Sequence, residues 1–141
     1  MYTVTLSIDT NVYAAGDVLA DTQEVPGLRD PGYLHSVVIL DENDQKLPMD
    51  LVFFNANVSL GTENAAPNIS DANARNILGI VRVNVIDYVD LGGLSVATKT
   101  GIGLALGTNA GAEKLYVGVI TGGAPTHTAA GLQLRLGIVR A

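Results

Sequence analysis

His35 and His127 are the only imidazoles in a 141-residue chain that has no cysteine. General acid–base and nucleophilic catalysis draw mainly on His, Cys and clustered acids, so a chain this poor in them reads first as a scaffold. Asp41, Asn43 and Gln45 occupy alternate positions, as at the start of an EF-hand loop that offers oxygen ligands to calcium. Lys46 stands where that loop needs glycine and Val52 where it needs glutamate, so the segment is expected to be an acidic hairpin tip. Asp17, Asp21 and Glu24 would be a carboxylate cluster only if a loop gathered them. Four residues along a strand span about 13 Å, whereas paired glycosidase acids stand roughly 5–9.5 Å apart. They are expected to be solvated turn residues, and Asp87 and Asp90 to flank a turn before Gly92.

Other motifs fail on their spacing. Gly101, Gly103 and Gly107 form G-x-G-x-x-x-G, one residue too long for a dinucleotide fingerprint, and are expected to let a strand pack closely on neighbouring backbone. Ser95 lies in Gly93-Leu94-Ser95-Val96-Ala97, which lacks the second glycine of a nucleophile elbow, and neither histidine stands in a triad context. His35 is expected to be a partly buried strand residue and His127 a loop residue. Asn57-Val58-Ser59 and Asn68-Ile69-Ser70 match the glycosylation pattern by chance, given that Met1 to Thr10 carries no Lys or Arg and does not read as a secretory signal. No catalytic, cofactor-binding or metal-binding residue is expected.

The elements that carry these residues read as strands. Tyr2, Val4, Leu6 and Ile8 alternate with Thr3, Thr5 and Ser7, and Leu132, Leu134, Leu136 and Ile138 alternate with Gln133 and Arg135, so both ends form half-buried strands. Ser36–Leu40, Asp50–Phe54, Ile80–Ile86, Leu94–Thr98, Ile102–Leu106 and Leu115–Ile120 are further strands, rich in Val, Ile and Leu. Turns are expected at Asp41–Asp44, at Gly92-Gly93, at Asn109 and Gly111, and at Gly122-Gly123-Ala124-Pro125. Thr22 to Tyr33, with Pro26, Gly27, Pro31 and Gly32, predicts a long irregular loop, and Ser70 to Ile77 a short capped helix. The fold class is all-β: one antiparallel β-sandwich domain over residues 1–141, jelly-roll-like, with one short helix near residues 70–77.

Composition narrows the functions such a domain can have. Charged residues are only 16% of the chain, against an average of about 25%, so the surface must be short of charge and suited to covering apolar area with copies of itself or a partner. The net charge of −6 and the eight scattered Lys and Arg residues disfavour nucleic acid. Leu115 to Leu134 carries no ionised side chain, but its glycines, proline and His127 interrupt it too heavily for a membrane span. The lack of cysteine suits a reducing compartment or a particle assembled in one.

Several ordered segments resemble small virion structural proteins of tailed bacteriophages. They are Val12-Tyr13-Ala14-Ala15-Gly16-Asp17-Val18-Leu19-Ala20-Asp21-Thr22-Gln23, Leu34-His35-Ser36-Val37-Val38-Ile39-Leu40-Asp41, Asn57-Val58-Ser59-Leu60-Gly61-Thr62-Glu63-Asn64, and Asp87-Tyr88-Val89-Asp90-Leu91-Gly92-Gly93. The resemblance implies a capsid decoration, or cement, protein without an active site. It would be a homotrimeric β-sandwich on the capsid exterior, assembled in the host cytoplasm, that bridges major capsid subunits. Tyr2, Pro26, Leu28, Arg29 and Pro31 are the expected partner-interface residues. The competing expectation is a tail-associated carbohydrate- or receptor-binding sandwich, which the absence of tryptophan and the 5% aromatic content weaken. A jelly-roll hydrolase or metal enzyme ranks below both.

Overall fold

The computed structural model describes residues 1–28, 32–107 and 114–140. Ten strands run β1 (Tyr2–Thr5), β2 (Val18–Glu24), β3 (Tyr33–Asp41), β4 (Met49–Phe54), β5 (Ile77–Val83), β6 (Tyr88–Asp90), β7 (Ser95–Lys99), β8 (Leu104–Ala105), β9 (Tyr116–Thr121) and β10 (Leu132–Val139). A one-turn helix, α1 (Asp71–Ala74), precedes β5, and a 3-10 turn (Val85–Asp87) precedes β6. One antiparallel sheet has the order β1-β10-β3-β7-β6, with β8 on β3, and the other the order β2-β9-β4-β5. Without the short β6 and β8, the orders β1-β10-β3-β7 and β2-β9-β4-β5 are the interleaving of a jelly roll, in which the chain passes repeatedly from one sheet to the other.

Strand alternation explains which side chains face inward. Val4 and Leu6 are buried while Thr3 and Thr5 are exposed, and Leu132, Leu134 and Leu136 are all inaccessible, as a period of two requires. They join Leu34, Val37, Ile39, Leu51, Phe53, Val117 and Val119 in one core between the sheets. In β4 the alternation disappears because both faces are covered. Leu51 and Phe53 belong to the central core, whereas Val52 and Phe54 pack with Val18 and Leu60 on the outer side.

The cover on that outer side is the connection from β4 to β5, residues 55–76. Val18 donates its N–H to Ala65 at 2.8 Å and accepts from Asn64 N at 2.9 Å. The Asp21 carboxylate accepts from Leu60 N at 2.8 Å and from the Ser59 hydroxyl at 2.7 Å. Leu60 lies over Gly118 of β9, where an added Cβ would run into the Leu60 side chain and approach Thr22 Oγ1 to 3.1 Å. The connection therefore acts as a strap that turns one exposed sheet face into a second small core.

The expected short helix is present, with the Ser70 hydroxyl accepting from Asn73 N at 3.1 Å. Other expectations are corrected. Residues 22–24 belong to β2, so the irregular loop begins only after Glu24; Arg29, Asp30 and Pro31 lie outside the described residues. Register shifts at Val18/Ala20 and Ala20/Gln23 break the alternation that would have marked β2. Asp41–Asp44 is not a hairpin tip, because β3 and β4 lie in different sheets; the same holds for Gly122–Pro125 between β9 and β10. The strand expected over Ile80–Ile86 ends at Val83, where Asn84 N donates to the Asp87 carboxylate at 2.7 Å and starts the 3-10 turn. Gly101 and Gly103 meet no neighbouring backbone. They adopt φ of +66° and +67° and bend the chain between β7 and β8, which leaves only Leu104–Ala105 of the strand expected over Ile102–Leu106. The turn expected at Asn109 and Gly111 lies outside the described residues.

Leu60→Ala is expected to destabilise the fold by about 2–4 kcal/mol in urea titrations. Hydrogen exchange should quicken first across residues 57–68, ahead of the β4 and β9 amides.

Candidate functional site

The densest polar arrangement lies where the chain leaves β3. Asp41 is 1% exposed, and its carboxylate accepts the backbone N–H groups of Asn43 (3.0 Å), Gln45 (2.8 Å) and Lys46 (3.0 Å). Those bonds satisfy a turn in which Asp44 and Lys46 both take φ of +53°. The β9–β10 crossing docks against it. His127 is 4% exposed, with Nδ1 3.3 Å from Asn43 Oδ1 and 3.8 Å from Asp41 Oδ1. Thr128 N donates to the same Asn43 oxygen at 3.0 Å. Burial pushes the His127 imidazole below its ordinary pKa, and the neighbouring Asp41 carboxylate, which works in the opposite direction, does not overcome it. Ser95 sits opposite Asp41 in register, fully buried, its hydroxyl without a hydrogen-bond partner among the described residues. An acid, an imidazole and a serine thus share one region, yet all three are closed to a dissolved substrate. The visible work of Asp41 and His127, which meet at Asn43, is to lock two inter-sheet crossings together.

Several other acids are also committed to structure. Asp17 accepts from Ala14 N at 3.0 Å, Asp21 holds the strap, and Glu24 forms an exposed ion pair with Lys114 at 3.5 Å. The buried Tyr13 hydroxyl accepts from Asp9 N at 2.7 Å and donates to Leu19 O at 2.9 Å, with Glu63 Oε1 3.4 Å away. Burial raises both the Tyr13 and the Glu63 pKa. His35 is exposed on β3, not partly buried, and stands six residues from Asp41, about 20 Å along an extended strand. A shallow open groove of about 240 Å³, lined by Pro48, Met49, Asp50, Arg82, Asn84 and Gly122, contains a two-bonded Arg82–Asp50 pair (2.8 and 3.1 Å) that occupies the guanidinium.

A different surface stands out by its apolar character. β5 ends one sheet and β6 ends the other, and the 3-10 turn joins them directly along one side of the sandwich. At this edge Val85 (53%) and Ile86 (91%) of the turn and Leu91 (63%) after β6 are exposed, while Ile80 (58%), paired with Val52, and Val89 (61%), paired with Val96, lie on the outer faces of opposite sheets. Tyr88 between them turns inward onto the core and donates its hydroxyl proton to Leu47 O at 2.9 Å. Of the bordering acids, Asp87 pairs with Lys99 at 3.2 Å, and Asp90 shares Lys46, 2.7 Å away, with Asp44 at 3.2 Å. Exposed apolar side chains on so short a turn make it a candidate contact surface.

No family model matches the chain, and no curated protein matches it. The site must therefore be read from its own geometry. Of the interface residues expected from sequence, Tyr2 is half-buried on edge strand β1, with its hydroxyl 3.3 Å from Arg140 Nη2, and Pro26 is exposed. Leu28 is corrected: at 3% exposure it belongs to the core and anchors the loop instead of offering contact area. Arg29 and Pro31 lie outside the described residues. The exposed apolar turn escapes the sequence reading because the strand expected over Ile80–Ile86 takes in Val85 and Ile86. The signal was present in Val85-Ile86-Asp87-Tyr88-Val89-Asp90-Leu91, where apolar residues no longer keep a period of two.

Asp41→Ala is expected to cost on the order of 3 kcal/mol, read by denaturant titration, because it strands buried backbone donors. His127 has a lowered folded-state pKa, so the unfolded chain takes up a proton first as pH falls. Stability should decline as pH drops below about 6.5 and flatten below the folded-state value. His127→Gln should remove that component, which thermal unfolding at pH 7.5 and 5 would measure.

Proposed function

We propose that this chain is a non-enzymatic structural protein of a tailed-phage virion, a decoration or cement protein that binds the outer capsid and bridges major capsid subunits. The observation that carries the reading is the uncovered apolar turn of Val85 and Ile86, with Leu91 also exposed, on a fold whose buried acid and imidazole are committed to internal ties. The resemblance of the chain's ordered segments to phage virion proteins supplies the setting: the exterior of a head assembled in the host cytoplasm. A jelly roll suits the task physically. Its two sheets are stiff, its corners are fixed, and many modest contacts repeated over a lattice add through avidity. Pro26, exposed at the start of its loop, and edge residue Tyr2 are the proposed shell-facing contacts.

Purified chain mixed with undecorated heads is expected to co-sediment saturably at a fixed number per capsomer, and decorated heads should retain DNA to a higher temperature than bare ones. Protein that stays in the supernatant at every concentration overturns the reading.

A further inference from the structure

We propose that residues 61–67 form a lid over the β2 edge, held shut by a proton on the Glu63 carboxyl and released when that proton is lost. The lid does not depend on the capsid reading.

The lid is a closed loop within the strap. Its neck is fixed where Asn68 N donates to Leu60 O at 2.8 Å, beside the Leu60 side chain buried in the outer core. Gly61 and Asn64 take φ of +136° and +60°, so the loop bends sharply at both places. β2 ends its sheet, and at Val18 the loop stands where a further strand would: Val18 N donates to Ala65 O at 2.8 Å, and Asn64 N donates to Val18 O at 2.9 Å. Lifting the loop frees this edge backbone while Leu60 stays seated.

Glu63 decides how firmly the loop is held. The Tyr13 hydroxyl has a single proton, which it gives to Leu19 O at 2.9 Å, and it accepts from Asp9 N at 2.7 Å. Glu63 Oε1 approaches the same hydroxyl at 3.4 Å. A protonated Glu63 can donate to the lone pair that remains, whereas an ionised Glu63 sets oxygen against oxygen.

The surroundings favour the proton. The Asp9 carboxylate accepts from Asn64 Nδ2 at 3.2 Å, and hydrogen bonds led by Asn11 N hold Asp9 below the usual carboxylate range, so it stays ionised beside Glu63. Asp9 of the β1–β2 connection and Asp21 of β2 both repel a charge on Glu63. Residues 1–28 and 47–74 contain no lysine, arginine or histidine, so the three segments that meet here bring no basic side chain. Burial is the largest influence and raises the Glu63 pKa; the contacts with Tyr13 and the Asp9 backbone act the other way and do not overcome it. With the folded-state value raised, the lid's stability is complete below the unfolded carboxylate value of about 4.3 and is lost as pH rises through the folded one.

A carboxyl NMR titration of Glu63 in the intact chain, with amide exchange at Val18 and Asn64 corrected for intrinsic rates, tests this between about pH 4 and 8. Glu63 is expected to titrate above about 4.3, and protection at both amides to fall about tenfold for each unit of that excess. Val119, in the core between the sheets, should keep its protection throughout. Glu63→Gln, whose amide donates to Tyr13 without a charge, should hold both amides protected at every pH. The lid is overturned by a Glu63 that titrates at or below the ordinary value, by protection at Val18 and Asn64 that ignores pH, by a Glu63→Gln chain that keeps the wild-type pH dependence, or by Val119 exchanging in step with them.

Discussion

The Asp41 carboxylate sets the geometry on which the rest of the sandwich depends. A jelly roll has few hairpins, so its turns must carry the chain between sheets, and such corners leave backbone donors without a strand partner. Three of them end on one buried carboxylate at the β3–β4 crossing. Burying an ionised group is unfavourable alone, but charge-assisted bonds to oriented N–H groups offset the loss of water. The same corner then receives the β9–β10 crossing through Asn43, His127 and Thr128, so strands far apart in sequence are fixed by one polar knot.

This explains which parts of the fold were legible in the sequence. The terminal strands were plain because β1 and β10 bury one face each, and alternation survives there. β4 was legible for another reason: a continuous run of Leu51, Val52, Phe53 and Phe54 is what burial on both faces requires. β2 was hidden by its register shifts and by Asp21 and Thr22, which read as loop chemistry but face the strap. Asp41 and Asn43 looked like a solvent-exposed tip because their spacing suits a turn, and spacing says nothing about whether the flanking strands share a sheet.

The candidate surface was less legible than the fold. The lost period of two over Val85–Leu91 marks the end of a strand, but it does not say whether the apolar side chains that follow are covered. Leu28 shows the converse, a hydrophobic residue in a proline-rich loop that reads as contact area yet fills the core. What decides between the two is whether neighbouring chain returns to cover the residue, and that is a property of topology.

The connections that join the sheets differ in this respect. Residues 55–76 are long enough to fold back over β2, β9 and β4, and the β9–β10 segment is long enough to bring His127 down onto Asp41. The passage from β5 to β6 has only Asn84 and a three-residue 3-10 turn, held tight by the Asn84–Asp87 bond. Among the described residues none closes over Val85, Ile86 or Val89. Lys99 of β7 pairs Asp87, and Lys46 of the β3–β4 corner lies between Asp90 and Asp44, so the packing that fixes the sheets also places these charges beside the turn. The turn is thus open because its connection is short, and that shortness follows from the strand order.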